Sequence, residues 1–190
     1  MNAVNNKITA TRYSSSPSPS WTVEAVKKII SKTDPQLIKI ICNEKIKIIS
    51  FETAYDKWKY SEGGIEENKV TGLLGHTKRE KMEIWLTAAM TNELAAITLF
   101  HEMGHITRMP PTTHEEAIDE EINVRVETEA FAIRQSMPPT SQGYRTADGK
   151  VDRTFIEAQV RNCSHYNPIG RKFIGRRYVG EKNTTGWCSP

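Results

Sequence analysis

The 190-residue sequence predicts an α+β domain in which a small sheet packs on one buried helix and on a second, antiparallel helix. Three features lead to this prediction. Several β-branched or alternating runs of strand length occur in the first half of the chain. Residues 91–106 are helical in pattern and apolar on nearly every side, which is typical of a buried helix. A second helical stretch begins after Pro110 and Pro111, so a tight turn must connect the two helices.

Composition divides the chain into a disordered leader, residues 1–20, and a single domain, residues 21–190. The leader has five serines, two prolines and no acidic residue, a composition that does not build a core. Two interpretations of the leader stay open: a frayed end, or an export signal of the unstructured, serine-rich kind. We expect neither a cleavable signal peptide nor a membrane span, because no apolar run approaches roughly 20 residues.

The pattern predicts the following elements in chain order. Residues 22–31 have apolar side chains at helical spacing and predict a short amphipathic helix. The β-branched runs at 37–42 and 46–51 predict two strands of a hairpin that turns at residues 43–45. Residues 81–87 alternate between polar and apolar side chains and predict another strand, directly before the buried helix.

The buried helix carries the pattern His-Glu-x-x-His, formed by His101, Glu102 and His105. Residues four apart share one face of a helix, so the two imidazoles can bind one metal ion. Glu102 is rotated about 100° from His101, which brings its carboxylate close to a water molecule on that ion. Chance would produce this pattern roughly 0.01 times in a chain of this composition. The alternative is a pair of core histidines satisfied by ordinary hydrogen bonds.

A catalytic metal site needs a third protein ligand, and the second helix, residues 113–136, offers several carboxylates. Because a tight turn joins the helices, residues equally far from the turn lie at the same level. His105 is then level with about residue 116, and His101 with about residue 120. The carboxylates near or beyond these levels are Glu115, Glu116, Asp119, Glu120, Glu121, Glu127 and Glu129.

The direction in which each carboxylate points narrows this set. Ile118 and Ile122 mark the buried side of the second helix, and Glu115 and Asp119 fall on the same side. We predict that Glu115 is the third metal ligand and that Asp119 orients a ligand histidine. On this basis Glu121 points outward. The alternatives to Glu115 that stay open are His114, Glu116, Glu120 and Glu127.

These residues together resemble the gluzincin branch of the zincin-like zinc peptidases. In that branch a His-Glu-x-x-His helix is followed by a helix that carries Glu-x-x-x-Asp, here Glu115 to Asp119. A looser likeness is to injected bacterial effector proteases of the NleD-like type, and it covers about residues 81–145. The matching residues are Glu115, Glu116 and Ala117, then Arg134, Met137, Pro138 and Tyr144.

The resemblance implies a zincin-like fold, a Zn²⁺ cofactor and zinc-dependent endopeptidase activity, with Glu102 as the base that takes a proton from water. It also implies a secreted virulence effector or toxin that is injected into the host cell cytoplasm and cleaves a host protein. Zincins bind extended substrates along an edge strand beside the metal helix, and residues 81–87 are the candidate for that strand. The alternative is that residues 81–87 form an interior strand of the sheet. The alternative function is a non-catalytic, metal-stabilised module that binds a protein partner through a basic C-terminal surface.

Zinc peptidases usually place a Tyr, His or Arg where it can stabilise the oxyanion that forms during hydrolysis. Tyr144 is our candidate for this catalytic role. Arg145, His165 and Tyr166 stay open as alternatives.

The C-terminal region supplies the remaining expectations. Residues 153–182 carry seven Lys or Arg against two Glu, which indicates either a solvated surface or a docking surface for an acidic protein. A net charge of only +3 and the lack of a known motif argue against a nucleic-acid partner, and the oligomeric state is left open. Cys163 and Cys188 either pair with each other or remain free thiols.

Overall fold

The computed structural model describes residues 19–51, 60–61, 74–162, 172–173, 181–183 and 187–188 of the chain. Within these residues the protein consists of five α-helices, a four-stranded mixed sheet and a separate pair of two-residue strands, so the predicted α+β class is confirmed. The predicted leader, apart from residues 19 and 20, lies outside the described residues. In the described part of the chain, no helix is both long and apolar enough to cross a membrane.

The first helix, α1, spans Val23–Ser31 and confirms the predicted amphipathic helix. It begins where the Thr22 hydroxyl accepts a hydrogen bond from the backbone N–H of Ala25, which satisfies one of the unpaired amides of the first turn. Its apolar face buries Val26 and Ile30 completely. This face attaches α1 to the core that carries the site.

The predicted hairpin is wrong, because its first run forms a helix. This helix, α2, spans Pro35–Asn43, with its proline in the first turn, where a missing N–H is tolerated. Short β-branched runs do not distinguish a strand from a buried helix, and here Ile41 is buried on the helix face that meets the core. After a turn in which Lys45 has a φ of 54°, the chain enters β1, Lys47–Phe51, which is the second of the predicted strands.

The remaining strands are β2, Tyr60–Ser61; β3, Gly75–Lys78; β4, Glu83–Thr87; β5, Lys172–Phe173; and β6, Glu181–Asn183. The main sheet has the order β3-β4-β1-β6, in which β1 and β4 are parallel and the other pairs are antiparallel. The strand predicted over residues 81–87 is confirmed as β4, but its expected position at the sheet edge is wrong. β4 lies between β3 and β1 and buries Ile84, Trp85 and Leu86, as an interior strand does. In the described chain β3 is the outer strand beside it.

The third helix, α3, spans Asn92–Ile106 and packs on β3 and β4. The Thr91 hydroxyl caps it by accepting a hydrogen bond from the N–H of Leu94 at 3.2 Å. Its apolar residues join those of the sheet, α1 and α2 in one core, so the predicted buried helix is confirmed. The largest side chains of that core that are fully buried are Trp21, Ile30, Ile41, Ile48, Ile84, Leu86, Leu99, Met103 and Phe131.

The fourth helix, α4, spans His114–Arg134 and runs antiparallel to α3, as predicted. It begins with a reciprocal cap between Thr113 and Glu116, each bonding the backbone N–H of the other. The two helices meet at a short turn, and further along them the rings of Phe100 and Phe131 stack with centroids 4.4 Å apart. This arrangement brings the middle of α4 beside the histidines of α3.

A fifth helix, α5, spans Arg153–Asn162 and covers a second face of α4. This contact forms a small apolar cluster that is separate from the main core. Its buried members are Ile118, Ile122, Tyr144, Ile156 and Val160. α4 is therefore buried on two sides, against α3 on one and α5 on the other.

A disulfide joins Cys42 of α2 to Cys188, with the two Cα atoms 5.4 Å apart. Both alternatives for Cys188, a pairing with Cys163 and a free thiol, are therefore wrong, and Cys163 itself lies outside the described residues. Trp187, next to the disulfide, is only 4% exposed and belongs to the main core. Residues 187 and 188 are thus held by a covalent bond to α2 and by burial of Trp187 in the main core.

Candidate metal centre

α3 brings two imidazoles together at one point. His101 and His105 lie one turn apart, and their Nε2 atoms are 3.2 Å from each other. Residues four apart share a helix face, which is why the spacing alone predicted that these side chains would meet. Because both rings direct Nε2 to the same point, each leaves its Nδ1 for another partner.

Glu121 of α4 brings a carboxylate to the same point. Its Oε2 lies 3.3 Å from Nε2 of His105, and its Oε1 lies 3.9 Å from Nε2 of His101. Ligand atoms about 2.0–2.2 Å from a tetrahedral zinc ion stand roughly 3.3–3.5 Å from one another. Among the described residues these three side chains form a cluster that could hold a metal ion, and two imidazoles with one carboxylate suit Zn²⁺.

Glu115, the predicted third ligand, does not belong to this cluster. Its carboxylate is exposed and pairs with Arg161 of α5 at 2.6 Å. Asp119, which we expected to orient a ligand histidine, is also exposed and lies 3.3 Å from Arg161. The other candidates do not complete the cluster either. Glu116 bonds Thr112 and Thr113, and Glu127 pairs with Arg108. Glu120 contacts Nδ1 of His105, the ring nitrogen that faces away from the cluster, and His114 is exposed.

The error arose from the choice of the buried side of α4. Ile118 and Ile122 are indeed buried, but they face α5. A different stripe, at spacings of three, four and three residues, meets α3, and it consists of Glu121, Val124, Thr128 and Phe131. The comparison of levels fell short by about one helical turn: it placed His105 opposite about residue 116, whereas His105 contacts Glu120 and Glu121.

A second layer of polar groups fixes both histidine rings. The carboxylate of Glu120 lies 2.5 Å from Nδ1 of His105 and is itself held by Arg79, which also donates to the His105 carbonyl at 2.8 Å. The Thr128 hydroxyl lies 3.4 Å from Nδ1 of His101. A ligand histidine commonly has such an outer partner, which sets the ring orientation and leaves Nε2 for the metal.

Burial is the largest influence on the three ligand groups. It lowers the pKa of His101 to about 4, against the opposing charge of Glu121. It would also lower the pKa of His105, but the hydrogen bond and charge of Glu121 outweigh burial, and that pKa is raised. Burial alone would raise the pKa of Glu121, yet the hydrogen bond from His105 and the charges of His101 and Arg125 hold it well below its usual range. At neutral pH the cluster therefore offers an ionised carboxylate and a neutral His101, both in metal-binding form.

Glu102 lies beside the cluster and is 7% exposed. Thr77 of β3 donates a hydrogen bond to its Oε2 at 2.7 Å and contacts its backbone oxygen at 3.0 Å. Its charge contributes to the raised pKa of His105, which shows how close the two groups are. A Cβ atom at Gly75 would lie 2.8 Å from Glu102 Oε1, so the carboxylate fits only because position 75 carries no side chain.

Tyr144, the predicted oxyanion donor, lines the same cleft, and its hydroxyl has two partners there. It donates to Oε1 of Gln159 at 2.5 Å and accepts from Nη1 of Arg125 at 2.6 Å. Burial raises the pKa of Tyr144, so its hydroxyl keeps its proton. Of the alternatives, Arg145 pairs with the buried Glu129, and His165 and Tyr166 lie outside the described residues.

An open cleft of about 1430 Å³ leads to this cluster. β3, α3, α4, α5 and the loop after α4 contribute to its walls, and Glu102 and the three clustered side chains line it. The sequence analysis missed the supporting residues Gly75, Thr77, Arg125 and Thr128. Arg125 and Thr128 had a detectable signal, because they follow Glu121 by four and seven residues on one face of α4.

Comparisons of the chain with protein-family models, curated proteins and solved structures found no match. The likeness to zinc peptidases therefore depends on the residues of this chain alone. The cluster of His101, His105 and Glu121 is a feature of the structure itself and does not depend on that likeness.

Proposed function

We propose that this protein is a zinc-dependent endopeptidase with a zincin-like arrangement of its metal-binding helices. One observation carries the proposal. Two imidazole Nε2 atoms and a carboxylate converge in an open cleft, with a further carboxylate, that of Glu102, beside them. Three protein ligands that face a cleft leave a fourth position for water or substrate, which distinguishes catalytic zinc sites from closed structural ones.

His101, His105 and Glu121 would hold the ion. Bound zinc lowers the pKa of a coordinated water to about 7 and polarises a carbonyl group. The protein would supply the orientation of the ligands, since Glu120 and Thr128 fix the two rings through their Nδ1 atoms.

Glu102 is the proposed general base. Its carboxylate would accept the proton of the attacking water and donate it to the leaving amine. Thr77 holds one carboxylate oxygen, which restricts the side chain to the orientation that faces the cleft. General-base catalysis typically contributes about 10²- to 10⁴-fold to a rate, so this residue should dominate the loss on mutation.

We further propose that an extended segment of a protein substrate lies along β3. This strand is on the outer side of the sheet in the described chain, and its residues line the cleft next to Glu102. Addition of a strand to a sheet orients a peptide by main-chain hydrogen bonds. β3 thus takes the role that the sequence analysis gave to residues 81–87.

A host protein as substrate, and delivery into the host cytoplasm, remain proposals that follow from the resemblance to effector proteases. The Cys42–Cys188 disulfide favours folding in an oxidising compartment, because cytosolic thiols are kept reduced. After delivery to a cytosol this region would then depend on the packing of Trp187 and on the pairing of β6 with β1.

The metal centre is tested first. Zinc content per chain and zinc affinity should be measured for the wild type and for Glu121→Ala and Glu115→Ala. We expect one zinc per chain for the wild type and for Glu115→Ala, because Glu115 contacts Arg161 at the surface. Glu121→Ala should lose zinc at concentrations that saturate the wild type. Equal zinc affinity of the wild type and Glu121→Ala would refute the assignment of the ligand.

Peptidase activity is tested separately, on a denatured proteome-derived peptide mixture in which new N-termini are identified by mass spectrometry. The zinc-loaded wild type should generate new N-termini, and zinc-loaded Glu102→Gln should generate about 10²- to 10⁴-fold fewer per unit time. If the wild type binds zinc but produces no new N-termini, the peptidase proposal fails. The non-catalytic, metal-stabilised binding module would then be the better description.

A further inference from the structure

Arg125 stands one helical turn after Glu121 on α4, and its contacts set it apart from the other arginines near the cleft. Its Nε donates a hydrogen bond to Oε1 of Glu121 at 2.6 Å. Its Nη1 donates to the Tyr144 hydroxyl at 2.6 Å and to Oε1 of Gln159 at 3.2 Å. One guanidinium therefore connects the candidate metal ligand to α5 and to the loop that precedes it.

We propose that Arg125 is a positioning residue that fixes the carboxylate of Glu121 for metal binding, and that Tyr144 and Gln159 hold Arg125 in place. This inference rests on the proposed metal centre. It gives Tyr144 a role in the support of the site, in place of the contact with substrate that the sequence suggested.

The distances within the cluster support this role. Arg125 bonds Oε1 of Glu121, and the other oxygen, Oε2, is the one that lies closer to a histidine, 3.3 Å from Nε2 of His105. A carboxylate has two nearly equivalent oxygens, and a charge-assisted hydrogen bond to one of them restricts its rotation. The oxygen that remains is then directed at the metal position.

The support of Arg125 from α5 makes this restriction effective. The Tyr144 hydroxyl donates to Gln159 at 2.5 Å while it accepts from Arg125, so the three side chains form a closed triangle of hydrogen bonds. Tyr144 is 4% exposed, and its ring packs with Ile156 and Val160 of α5. The guanidinium is therefore anchored to a packed cluster and not to a mobile surface group.

A lysine cannot reproduce this geometry. Arginine presents Nε and Nη1 as separate donors in a rigid planar fork, whereas lysine offers one ammonium group on a flexible stem. In Arg125→Lys the ammonium group could reach either Glu121 or the Tyr144–Gln159 pair, but it could not bridge them. Substitution by lysine therefore separates a requirement for positive charge from a requirement for the bridge.

The chain contains a matched control. Arg161 of α5 also pairs with carboxylates of α4, Glu115 at 2.6 Å and Asp119 at 3.3 Å, but these carboxylates are exposed and lie outside the metal cluster. Removal of Arg161 takes away an arginine that joins the same two helices and leaves the ligands untouched. A loss caused only by weaker packing of α5 on α4 would affect both variants.

The test is the zinc dissociation constant, measured by competition with a chromogenic chelator for the wild type, Arg125→Met, Arg125→Lys, Tyr144→Phe and Arg161→Met. Loss of an outer partner of a metal ligand typically weakens metal binding 10- to 100-fold. We expect a loss in that range for Arg125→Met, a loss of similar size for Arg125→Lys, a smaller loss for Tyr144→Phe, and a change of less than about twofold for Arg161→Met. Unchanged zinc affinity in both Arg125 variants would overturn the inference.

The visible spectrum of the Co²⁺-substituted protein adds a readout that general destabilisation would not move. In Arg125→Met the ligand-field bands should shift relative to the wild type, because the Glu121 carboxylate changes its position, while Arg161→Met should keep the wild-type spectrum. If Arg125→Met does not fold, Tyr144→Phe tests the inference in its place, because it removes the hydroxyl that bonds Arg125 and keeps the packed ring. A wild-type zinc affinity and cobalt spectrum in Tyr144→Phe would then refute the bridge. Failure of the wild type to bind zinc at all would instead refute the metal centre.

Discussion

Gly75 of β3 lies close against the side chain of Glu102, the candidate base. A Cβ atom added there would lie 2.6 Å from Cγ2 of Thr98, 2.8 Å from Oε1 of Glu102 and 2.9 Å from Cγ of Glu102. Non-bonded carbon atoms prefer separations of about 3.5–4.0 Å, so these groups must move by roughly 1 Å to accept a methyl group. Gly75→Ala therefore perturbs the base without touching a metal ligand.

The expected losses follow from these overlaps. Overpacking of a core by one methyl group typically costs about 1–3 kcal/mol of unfolding free energy, and Thr98 is buried at 6% exposure, so the overlap is not relieved into solvent. A displacement of a catalytic group by about 1 Å can cost about 10²-fold in rate. Gly75→Ala should thus lower kcat by about two orders of magnitude and leave zinc affinity within a few-fold of the wild type. Denaturant unfolding, chelator competition and peptide cleavage measure the three quantities.

A second variant separates the two overlaps. Thr98→Ser removes Cγ2, the nearest atom, and keeps the hydroxyl that donates to the Leu94 carbonyl at 2.8 Å. The double variant Gly75→Ala with Thr98→Ser should therefore regain much of the stability but little of the activity, because the contact with Glu102 persists. Wild-type kcat in Gly75→Ala would show that the position of Glu102 does not limit the reaction, and it would refute this reasoning.

Two further predictions follow from the charges and the cross-link. Zinc affinity should fall about tenfold per pH unit below the raised pKa of His105, because zinc binding then displaces one proton. A plot of the logarithm of zinc affinity against pH should approach a slope of two only near pH 4, where His101 titrates. A slope of two at pH 6, measured by chelator competition, would contradict this order. Cys42→Ser should lower the unfolding free energy by roughly 2–5 kcal/mol under non-reducing conditions, since the disulfide closes a long loop across 146 residues. Alkylation of the unfolded, unreduced wild type should leave Cys42 and Cys188 unlabelled, and labelling of both would disprove the disulfide.

The features that sequence predicted correctly depend on short-range geometry. His101 and His105 meet because a helix repeats about every four residues, a relation that no tertiary contact can change while the helix persists. The helix itself was predictable, because a stretch apolar on nearly every side has to be buried.

The incorrect predictions concern partners distant in sequence. The run 37–42 is β-branched, but Pro35 starts a helix there, and burial of one helix face satisfies the same apolar residues. β4 was expected at the edge, but it pairs with β1 on one side and β3 on the other. Strand order depends on contacts across the whole sheet, and a local pattern does not contain that information.

The position of Glu121, the proposed third ligand, shows why a polar buried helix face escapes an analysis of hydrophobic pattern. α4 buries one stripe that is apolar, led by Ile118 and Ile122, and another that carries Glu121 and Thr128 among apolar residues. A rule that assigns the apolar stripe to the interior selects the face toward α5 and classifies the ligand face as solvated. Polar residues supply the chemistry of a site, and they also interrupt the apolar pattern from which a buried helix face is recognised. In a helix that follows a His-Glu-x-x-His helix, the carboxylate should therefore be chosen first by its level opposite the histidines, and its burial should be inferred from that position.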